Sequence, residues 1–300
     1  MKQNVIISLA DSNYFELLNE LVDSIRRFEQ SKDFAICIMD AGLKEEEIEK
    51  LRPKVDNIKK AEWDIEVSLS KVKGKEWLKS QVSRAFLPNY FPGYKKYLWI
   101  DADAWVNSWE AVDLYIKGCE NKKLAISTSA DRAYGRVLRA EWVFGSLAKI
   151  KSQNYKHAKS SGFSENIARE VALKPHLNIG VFSLEIDAPH WEVWQKNLKI
   201  ALSKGKIWGS EQIAMNVTIY SDMLDVEILP AYCNWTLLEA IRFDKNKNCF
   251  VEPYLPNHEI GIVHLAGKHN DHIRKNKNSL SKIKTLDGDM IDKSLRFTNS

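Results

Sequence analysis

The sequence predicts an α/β protein in which a mixed, mostly parallel sheet is flanked by helices. Two apolar runs near the start, at residues 5–9 and 34–39, have the length and composition of strands that are buried on both faces. Each run is followed by a polar turn and then by a helical pattern. Strands that alternate with helices are typical of a doubly wound, Rossmann-like sheet. With 300 residues and 44% hydrophobic content, the chain can bury the core of one large domain.

The first elements follow one another in this alternating order. After the strand at 5–9, residues 10–13 form a turn that is rich in helix-capping residues, and an amphipathic helix follows. The strand at 34–39 precedes a charged helix around residues 45–51. No Gly-x-Gly-x-x-Gly follows the first strand and no Walker A sequence is present, so the phosphate-cradling glycines of those sites are missing.

The middle of the chain continues the pattern. Residues 75–90 indicate a helix that ends at Pro88 and leads to a strand at 97–100. Residues 140–164 form an irregular basic excursion, which either covers an acceptor site or is surface without a special role. Further helices are expected at 109–117, 189–202 and 209–219, and further strands at 124–127, 177–184, 226–229 and 261–263.

The strand at 97–100 ends in two carboxylates, Asp101 and Asp103. Residues two apart on an extended chain point the same way, so both side chains can converge on one point. Two adjacent carboxylates repel each other unless a cation lies between them, and hard oxygen ligands suit magnesium or manganese. In a polar loop the same pair is more often simply solvated. Its position after a strand favours a ligand site, because open α/β sheets bind ligands at the carboxyl ends of their strands.

Composition excludes several classes of protein. The net charge of +4 is too small for a dedicated nucleic-acid binder but is compatible with small anionic substrates. The four cysteines are widely spaced, which indicates reduced packing residues rather than a zinc site or disulfides. No apolar run is long enough to span a bilayer, and residues 1–9 lack the features of a signal peptide. We therefore expect a cytoplasmic protein.

Six segments, in order, resemble the motifs of glycosyltransferase family 8. Members of this family have the GT-A fold and use a nucleotide sugar, commonly a UDP-sugar, with a manganese ion. Residues 10–14 resemble the opening Asp-Asp-Asn-Tyr, residues 83–88 the Tyr-Ala-Arg-Leu segment, residues 97–103 the strand with Asp-x-Asp, residues 178–181 the Asn-Ala-Gly-Val segment, residues 211–216 the Asp-Gln-Asp-x-x-Asn segment, and residues 264–267 the closing His-x-x-Gly.

The resemblance implies a set of site residues. Asp101, Asp103 and His264 would hold Mn²⁺ or Mg²⁺. Glu211, Gln212 or Asp131 would face the donor sugar and steady an oxocarbenium-like transition state. The UDP-sugar would be held by residues from several segments. Asp11, Asn13 and Tyr14 would hold the uracil and ribose, and the other contacts would come from Arg84, Ala102, Asn178, Gly180, Gly267 and Lys268.

This sequence departs from the family pattern at two positions. The family's closing lysine falls three residues after the glycine, where this chain has Asn270, and the nearest lysine is Lys268. The contact of Lys268 with the diphosphate is therefore an open expectation. Glu211 replaces an aspartate, which lengthens the side chain by one methylene.

The expected organisation is a catalytic domain at residues 1–267 followed by a polar, lysine-rich tail at 268–300. The resemblance implies transfer with retention to a glycan or glycolipid. We expect the tail to be solvated, with contact to anionic lipid as an alternative. Two other functions stay open at this point. One is a nucleotide-sugar binding protein without turnover. The other is a haloacid-dehalogenase-type phosphatase. Residues 288–289 copy the closing Gly-Asp segment of that class, but the nucleophile of such phosphatases normally follows the first strand.

Overall fold

The computed structural model describes residues 2–67, 72, 74–129, 131–134, 139–143, 145, 147–237 and 240–298, with the backbone alone at 139–143 and 147–151. The described strands are β1 (Asn4–Ala10), β2 (Phe34–Asp40), β3 (Asn57–Lys60), β4 (Lys96–Ile100), β5 (Ala104–Val106), β6 (Leu124–Thr128), β7 (Arg139–Val143), β8 (Leu147–Lys151), β9 (Leu177–Glu185), β10 (Val226–Leu229), β11 (Trp235–Thr236), β12 (Arg242–Asp244), β13 (Cys249–Val251), β14 (Ile262–His264), β15 (Ser281–Thr285) and β16 (Met290–Lys293).

Helices lie between and after these strands. The described α-helices are α1 (Phe15–Arg26), α2 (Glu45–Leu51), α3 (Ser80–Ser83), α4 (Leu87–Tyr90), α5 (Trp109–Gly118), α6 (Gln153–Ser160), α7 (Glu165–Glu170), α8 (His190–Lys204), α9 (Ser210–Tyr220) and α10 (Asp271–Lys275). Short 3₁₀ helices are Glu29–Asp33, Glu76–Lys79, Arg84–Phe86, Glu120–Lys122, Ala231–Asn234 and Lys268–Asn270.

The central sheet has seven strands in the order β10-β6-β9-β4-β1-β2-β3. All of them run parallel except β9, which is antiparallel to both of its neighbours, β4 and β6. The predicted fold class, a mixed and mostly parallel sheet flanked by helices, is therefore confirmed. The carboxyl ends of β1, β2 and β4 meet at one edge, where a ligand site is expected.

The side chains of β4 alternate between two cores. Tyr97 and Trp99 pack with residues of α8 and α9, whereas Leu98 and Ile100 pack with residues of α1 and α5. All four side chains are at most 1% exposed. This is the burial on both faces that the apolar run predicted.

A second, smaller sheet brings the distant histidine to the end of β4. After Asp103 the chain turns into β5, and β14 pairs with β5 in antiparallel register, with His264 opposite Ala104. Strand β11 pairs with the other edge of β14. Because His264 lies directly beside the Asp-x-Asp turn, a separation of more than 160 residues in sequence becomes a contact.

The end of the chain is folded, in contrast to the solvated end that we expected. Strand β15 pairs with β12 and β16 pairs with β15. Leu295 and Phe297 are buried in the adjoining core. Arg296, which is 4% exposed, donates to both carboxylate oxygens of Glu20 in α1, at 2.9 and 2.7 Å. A buried ion pair and apolar side chains thus attach this segment to the rest, and the domain boundary after residue 267 stays a prediction.

Two other local predictions differ from the structure. The segment at 75–90 consists of alternating 3₁₀ and α turns, and Pro88 lies in the first turn of α4 rather than at the end of the helix. Proline is tolerated there because the first N–H groups of a helix have no partner within it. The excursion at 140–164 contains the β7–β8 hairpin and α6, although part of it lies outside the described residues.

Two predictions from composition can be compared with the structure. The four cysteines are free and buried, as packing residues are. Within the described ranges, no helix is both long and apolar enough to cross a bilayer.

Candidate metal and donor site

The two carboxylates lie in the tight turn between β4 and β5. The backbone N–H of Asp101 donates to the carbonyl of Gly180 at 2.8 Å, and that of Ala104 donates to the carbonyl of Asp101 at 3.0 Å. Nε2 of His264 lies 3.3 Å from Oδ1 of Asp103 and 3.9 Å from Oδ2 of Asp101. One ligand atom from each of these three residues lies within 4.8 Å of the others, so the structure brings together the predicted metal ligands.

The orientation of the His264 ring is fixed from behind. Its Nδ1 lies 2.9 Å from Oδ1 of Asn234, and since an amide oxygen only accepts, Nδ1 is the donor. In a neutral ring Nε2 then carries a lone pair, which points at carboxylate oxygens that also carry lone pairs. Such an arrangement requires a cation or a proton between the groups, and ligating histidines are commonly oriented in this way by a second partner.

The charges of the three groups are strongly coupled. Burial raises the pKa of Asp101, and the charges of Arg84 and His264 offset this only in part. Burial also acts to raise the pKa of Asp103, but the hydrogen bond and charge of His264, with the charge of Arg274, leave it lowered. Burial disfavours the imidazolium of His264, yet the hydrogen bond and charge of Asp103 outweigh burial and raise the pKa of the ring. A positive charge is therefore favoured at this point.

Gly180 makes room for the cluster. A Cβ at this position would lie 2.4 Å from Cε1 of His264, 3.0 Å from Oδ2 of Asp101 and 3.1 Å from Oδ1 of Asn178. The amide of Asn178 in turn accepts from the backbone N–H of Gly180 at 3.1 Å. A glycine inside a strand often marks such a close approach, and here two of the approaching groups are the predicted metal ligands His264 and Asp101.

Arg84 holds Asp101 from the opposite side. The guanidinium is 4% exposed and donates to Oδ1 of Asp101 at 3.0 Å and to the carbonyl of Ile179 at 3.2 Å. It also lies 4.7 Å from the ring centroid of Trp99, whose Nε1–H donates to the same Oδ1 at 2.7 Å. Oδ1 of Asp101 is therefore occupied, and Oδ2 faces His264.

The first turn of α9 adds a buried carboxyl group. Glu211 is 3% exposed, and among the described side chains its Oε2 is one of the buried oxygens without a hydrogen-bond partner. Burial raises the pKa of Glu211 to about 7, with the charge of Arg84 opposing the shift and that of Asp101 adding to it. Gln212 donates to the carbonyl of Leu177 at 2.7 Å. Glu211 thus lies within electrostatic reach of Asp101 and Arg84.

The loop after β1 contributes the remaining predicted groups. Asp11 accepts from the backbone N–H of Asn13 at 3.0 Å and from its side-chain amide at 2.9 Å. Burial raises the pKa of Tyr14, and the negative charge of Asp103 raises it further. The phenol therefore lies within electrostatic reach of the cluster. Ala102 lies between the two aspartates and is 6% exposed.

For three further predicted site residues, the structure describes only their own turn or helix. Asp131 accepts from the backbone N–H of Ala133 at 2.9 Å and so caps its own turn. Gly267 has a φ of 89°, and the exposed Lys268 follows it at the start of a 3₁₀ helix. The roles assigned to these residues stay predictions.

Sequence reasoning missed two residues that touch the cluster. Nη1 of Arg274 lies 3.4 Å from Oδ2 of Asp103, and the guanidinium also donates to the carbonyl of Leu265 and to the carboxylate of Asp271. Arg274 lies among the cations of the lysine-rich end, where nothing in the sequence singles it out. The other is Asn234, which orients His264 and lies in a match to the glycosylation sequon that has no bearing on this role.

Comparisons with known proteins identify the family and the fold. The family model described as glycosyl transferase family 8 matches residues 5–248. Among solved structures, the bifunctional glycosyltransferase WbbM in its apo form is similar with a TM-score of 0.51 and 17% identity, over 88% of this chain and 46% of that one. An active-site mutant of LgtC is similar with a TM-score of 0.50 and 15% identity, over 88% of this chain and 87% of that one.

These identities are low enough that the likeness to the two structures shows a shared fold alone. The chain spans less than half of the WbbM structure. No curated protein matches the chain in sequence.

Proposed function

The chain belongs to glycosyltransferase family 8 and is therefore a glycosyltransferase, and we propose that its donor is a UDP-sugar bound with Mn²⁺ or Mg²⁺ at Asp101, Asp103 and His264. The acceptor would be a glycan or glycolipid, and transfer would proceed with retention. One observation carries the proposal. Two carboxylates and an imidazole nitrogen, from segments far apart in sequence, converge within 4.8 Å at the carboxyl edge of the sheet.

The residues present fit a divalent cation of this kind. Carboxylate oxygens and one imidazole suit manganese, and Nε2 of His264 already faces both carboxylates. When bound, the cation would supply positive charge that stabilises a departing diphosphate without proton transfer. Asn234 and Arg84 would keep His264 and Asp101 in place, because each holds the atom that faces away from the cluster.

Arg274 is suited to hold the diphosphate in place of the missing lysine. Its guanidinium lies 3.4 Å from Asp103, so a diphosphate bound at the same carboxylate cluster would lie close to it. A guanidinium matches phosphate geometry with paired donors, and it stays charged at any physiological pH. Lys268, exposed at the start of its 3₁₀ helix, is the alternative.

Glu211 is suited to meet the donor sugar. Its Oε2 is buried without a partner, so a hydroxyl group of the sugar would satisfy it. With its pKa raised by burial to about 7, the group can be neutral and donate a hydrogen bond, or ionised and accept one. Gln212, beside it on α9, and Asp131 stay as the other candidates to face the sugar.

The position of the Gly-Asp segment at residues 288–289 gives no support to the phosphatase alternative. Asp289 lies at the turn between β15 and β16 and pairs with Lys245 at 2.7 Å, in the four-stranded sheet that residues 242–293 form. The lipid contact through the basic end is not supported either, since Arg274 is turned toward Asp103. The family assignment does not support the other alternative, a binding protein without turnover, and an assay must distinguish the two because the same cluster would bind UDP in either case.

A panel of UDP-sugars, incubated with the protein and Mn²⁺, tests the proposal through release of UDP. We expect slow hydrolysis of one or a few donors, faster turnover with an acceptor, and loss of both in EDTA and in His264→Ala. Binding of UDP by calorimetry without turnover of any donor would favour the binding protein. Absence of both binding and turnover would contradict the proposal.

A further inference from the structure

Two tryptophans lie together on the surface. Trp77 is 39% exposed and Trp208 is 68% exposed, and their ring centroids are 5.6 Å apart with an interplanar angle of 66°. The other tryptophans whose side chains are described are buried or half-buried. Two large aromatic rings that lie side by side at the surface leave much of their apolar area in contact with water. Such an exposed apolar patch is commonly a contact site.

The fold fixes both rings at the surface rather than leaving them on loose loops. Leu78, directly after Trp77, is 4% exposed, and Ile207, directly before Trp208, is 3% exposed. The backbone N–H of Gly209 donates to the side-chain amide oxygen of Gln81 at 3.2 Å, which joins the two segments. The pair therefore has a defined position.

Both rings lie on segments that also carry residues of the candidate donor site. Trp77 is the second residue of the helical run at 76–86, which includes Arg84, the residue that holds Asp101. Trp208 precedes Glu211 by three residues, so their Cα atoms lie at most about 11 Å apart. The segments that carry the two rings are thus the same segments that carry Arg84 and Glu211.

We propose that Trp77 and Trp208 form a platform on which a pyranose ring of the acceptor glycan stacks. This inference rests on the proposed function, because it concerns the second substrate of the same site. The apolar face of a pyranose packs against an aromatic face, and an acceptor must approach the sugar bound near Glu211 from the surrounding rim. Trp208 lies three residues before Glu211, and the hydrogen bond between Gly209 and Gln81 keeps the segment of Trp77 beside it.

A membrane surface is the other environment that favours exposed tryptophan. The charges beside the pair are mixed, because Lys75 and Lys206 are exposed, whereas Lys79 is 7% exposed and bonded to Glu76 at 2.9 Å. A membrane contact would use these lysines on anionic lipid. The short chain distance from Trp208 to Glu211 favours the glycan instead.

A printed array of oligosaccharides with different terminal pyranoses, probed with the protein in Mn²⁺ and UDP, tests the platform. The wild-type protein is expected to bind a subset of glycans. The double variant W77A/W208A should bind them at least about tenfold more weakly, equivalent to about 1.4 kcal/mol. W77F/W208F, which keeps two rings, should retain most of the binding. Y254A, which removes an aromatic ring that is 41% exposed elsewhere, should bind as the wild type does.

Two further measurements separate the outcomes. Calorimetry of UDP with Mn²⁺ should give the same affinity for all four proteins, and their melting temperatures should agree. Failure of the wild type to bind UDP would refute the proposed function, whatever the array shows. Normal UDP binding with no glycan bound, or with glycan binding unchanged in W77A/W208A, would refute the platform alone. Sedimentation with phosphatidylserine vesicles that is lost in W77A/W208A would also refute it and assign the pair to a membrane.

Discussion

Replacing Gly180 by alanine tests whether the cation site depends on the close packing of His264 against β9. The new Cβ would lie 2.4 Å from Cε1 of His264 and 3.0 Å from Oδ2 of Asp101. Carbon atoms in contact lie about 3.5–4.0 Å apart, so the ring must move by roughly 1 Å or more. Metal ligands tolerate displacements of only about 0.2 Å. We therefore expect the affinity for Mn²⁺ to fall about 10–100-fold, as when a supporting residue of a metal site is lost.

Calorimetric titration of Mn²⁺ in the presence of UDP measures this change, and thermal unfolding measures the accompanying strain. Gly162→Ala is the matched control, since its Cβ would lie 2.1 Å from the carbonyl oxygen of Ile200, outside the metal cluster. Both variants should lose about 1–3 kcal/mol of stability through overpacking. Only Gly180→Ala should lose Mn²⁺ binding. Wild-type affinity in Gly180→Ala, or an equal loss in Gly162→Ala, would refute the reasoning.

Three further predictions follow from the described contacts. Arg274→Ala should weaken UDP binding about 10–100-fold in calorimetry, the equivalent of one charged hydrogen bond, and Lys268→Ala should weaken it less. Burial raises the pKa of Glu211 from 4.5 to about 7, so its neutral form stabilises the fold below pH 4.5 and this contribution is lost as the pH rises through 7. In urea unfolding, the wild type should therefore lose roughly 3 kcal/mol relative to Glu211→Gln between pH 4.5 and pH 8. Arg296→Met should cost about 3–5 kcal/mol by leaving a buried carboxylate unpaired, whereas Arg169→Ala, at an exposed ion pair, should cost at most about 1 kcal/mol.

Each of these predictions has an outcome that contradicts it. Uridine, which lacks phosphate, is the control ligand for Arg274→Ala, and an equal loss of uridine affinity would indicate a general disturbance rather than a lost diphosphate contact. A larger effect of Lys268→Ala than of Arg274→Ala would assign the diphosphate to the lysine. A pH dependence that is identical in wild type and Glu211→Gln would show that the carboxyl group is not buried as described. Unchanged stability in Arg296→Met would mean that the end of the chain is not held by its ion pair.

The central sheet could be predicted from sequence because its signals are local. The apolar run at 97–100, which forms β4 after its first residue Lys96, has no charged position, so burial on both faces is expected, and the aspartates that follow it then lie at the carboxyl edge. The antiparallel direction of β9 could not be predicted, since an apolar run carries no sign of its direction. Its Gly180 was a visible signal of close approach, but the approaching groups could be named only from the resemblance.

The rest of the site depends on contacts between segments that are distant in sequence. His264 reaches the carboxylates only because β14 pairs with β5, and three residues per strand are too few for a pattern to show register. Arg274 and Arg296 lie in a segment whose composition resembles a solvated tail. A buried ion pair such as Glu20–Arg296 looks the same in sequence as two exposed charges, so only the folded chain reveals it.

The metal site is tested directly by a crystal soaked with Mn²⁺ and UDP, with diffraction measured at the manganese absorption edge. We expect one anomalous peak within coordination distance of Asp101, Asp103 and Nε2 of His264, with the diphosphate beside it and next to Arg274. Bound UDP with its diphosphate elsewhere, or a manganese peak away from these three side chains, would show that the cluster does not hold the metal.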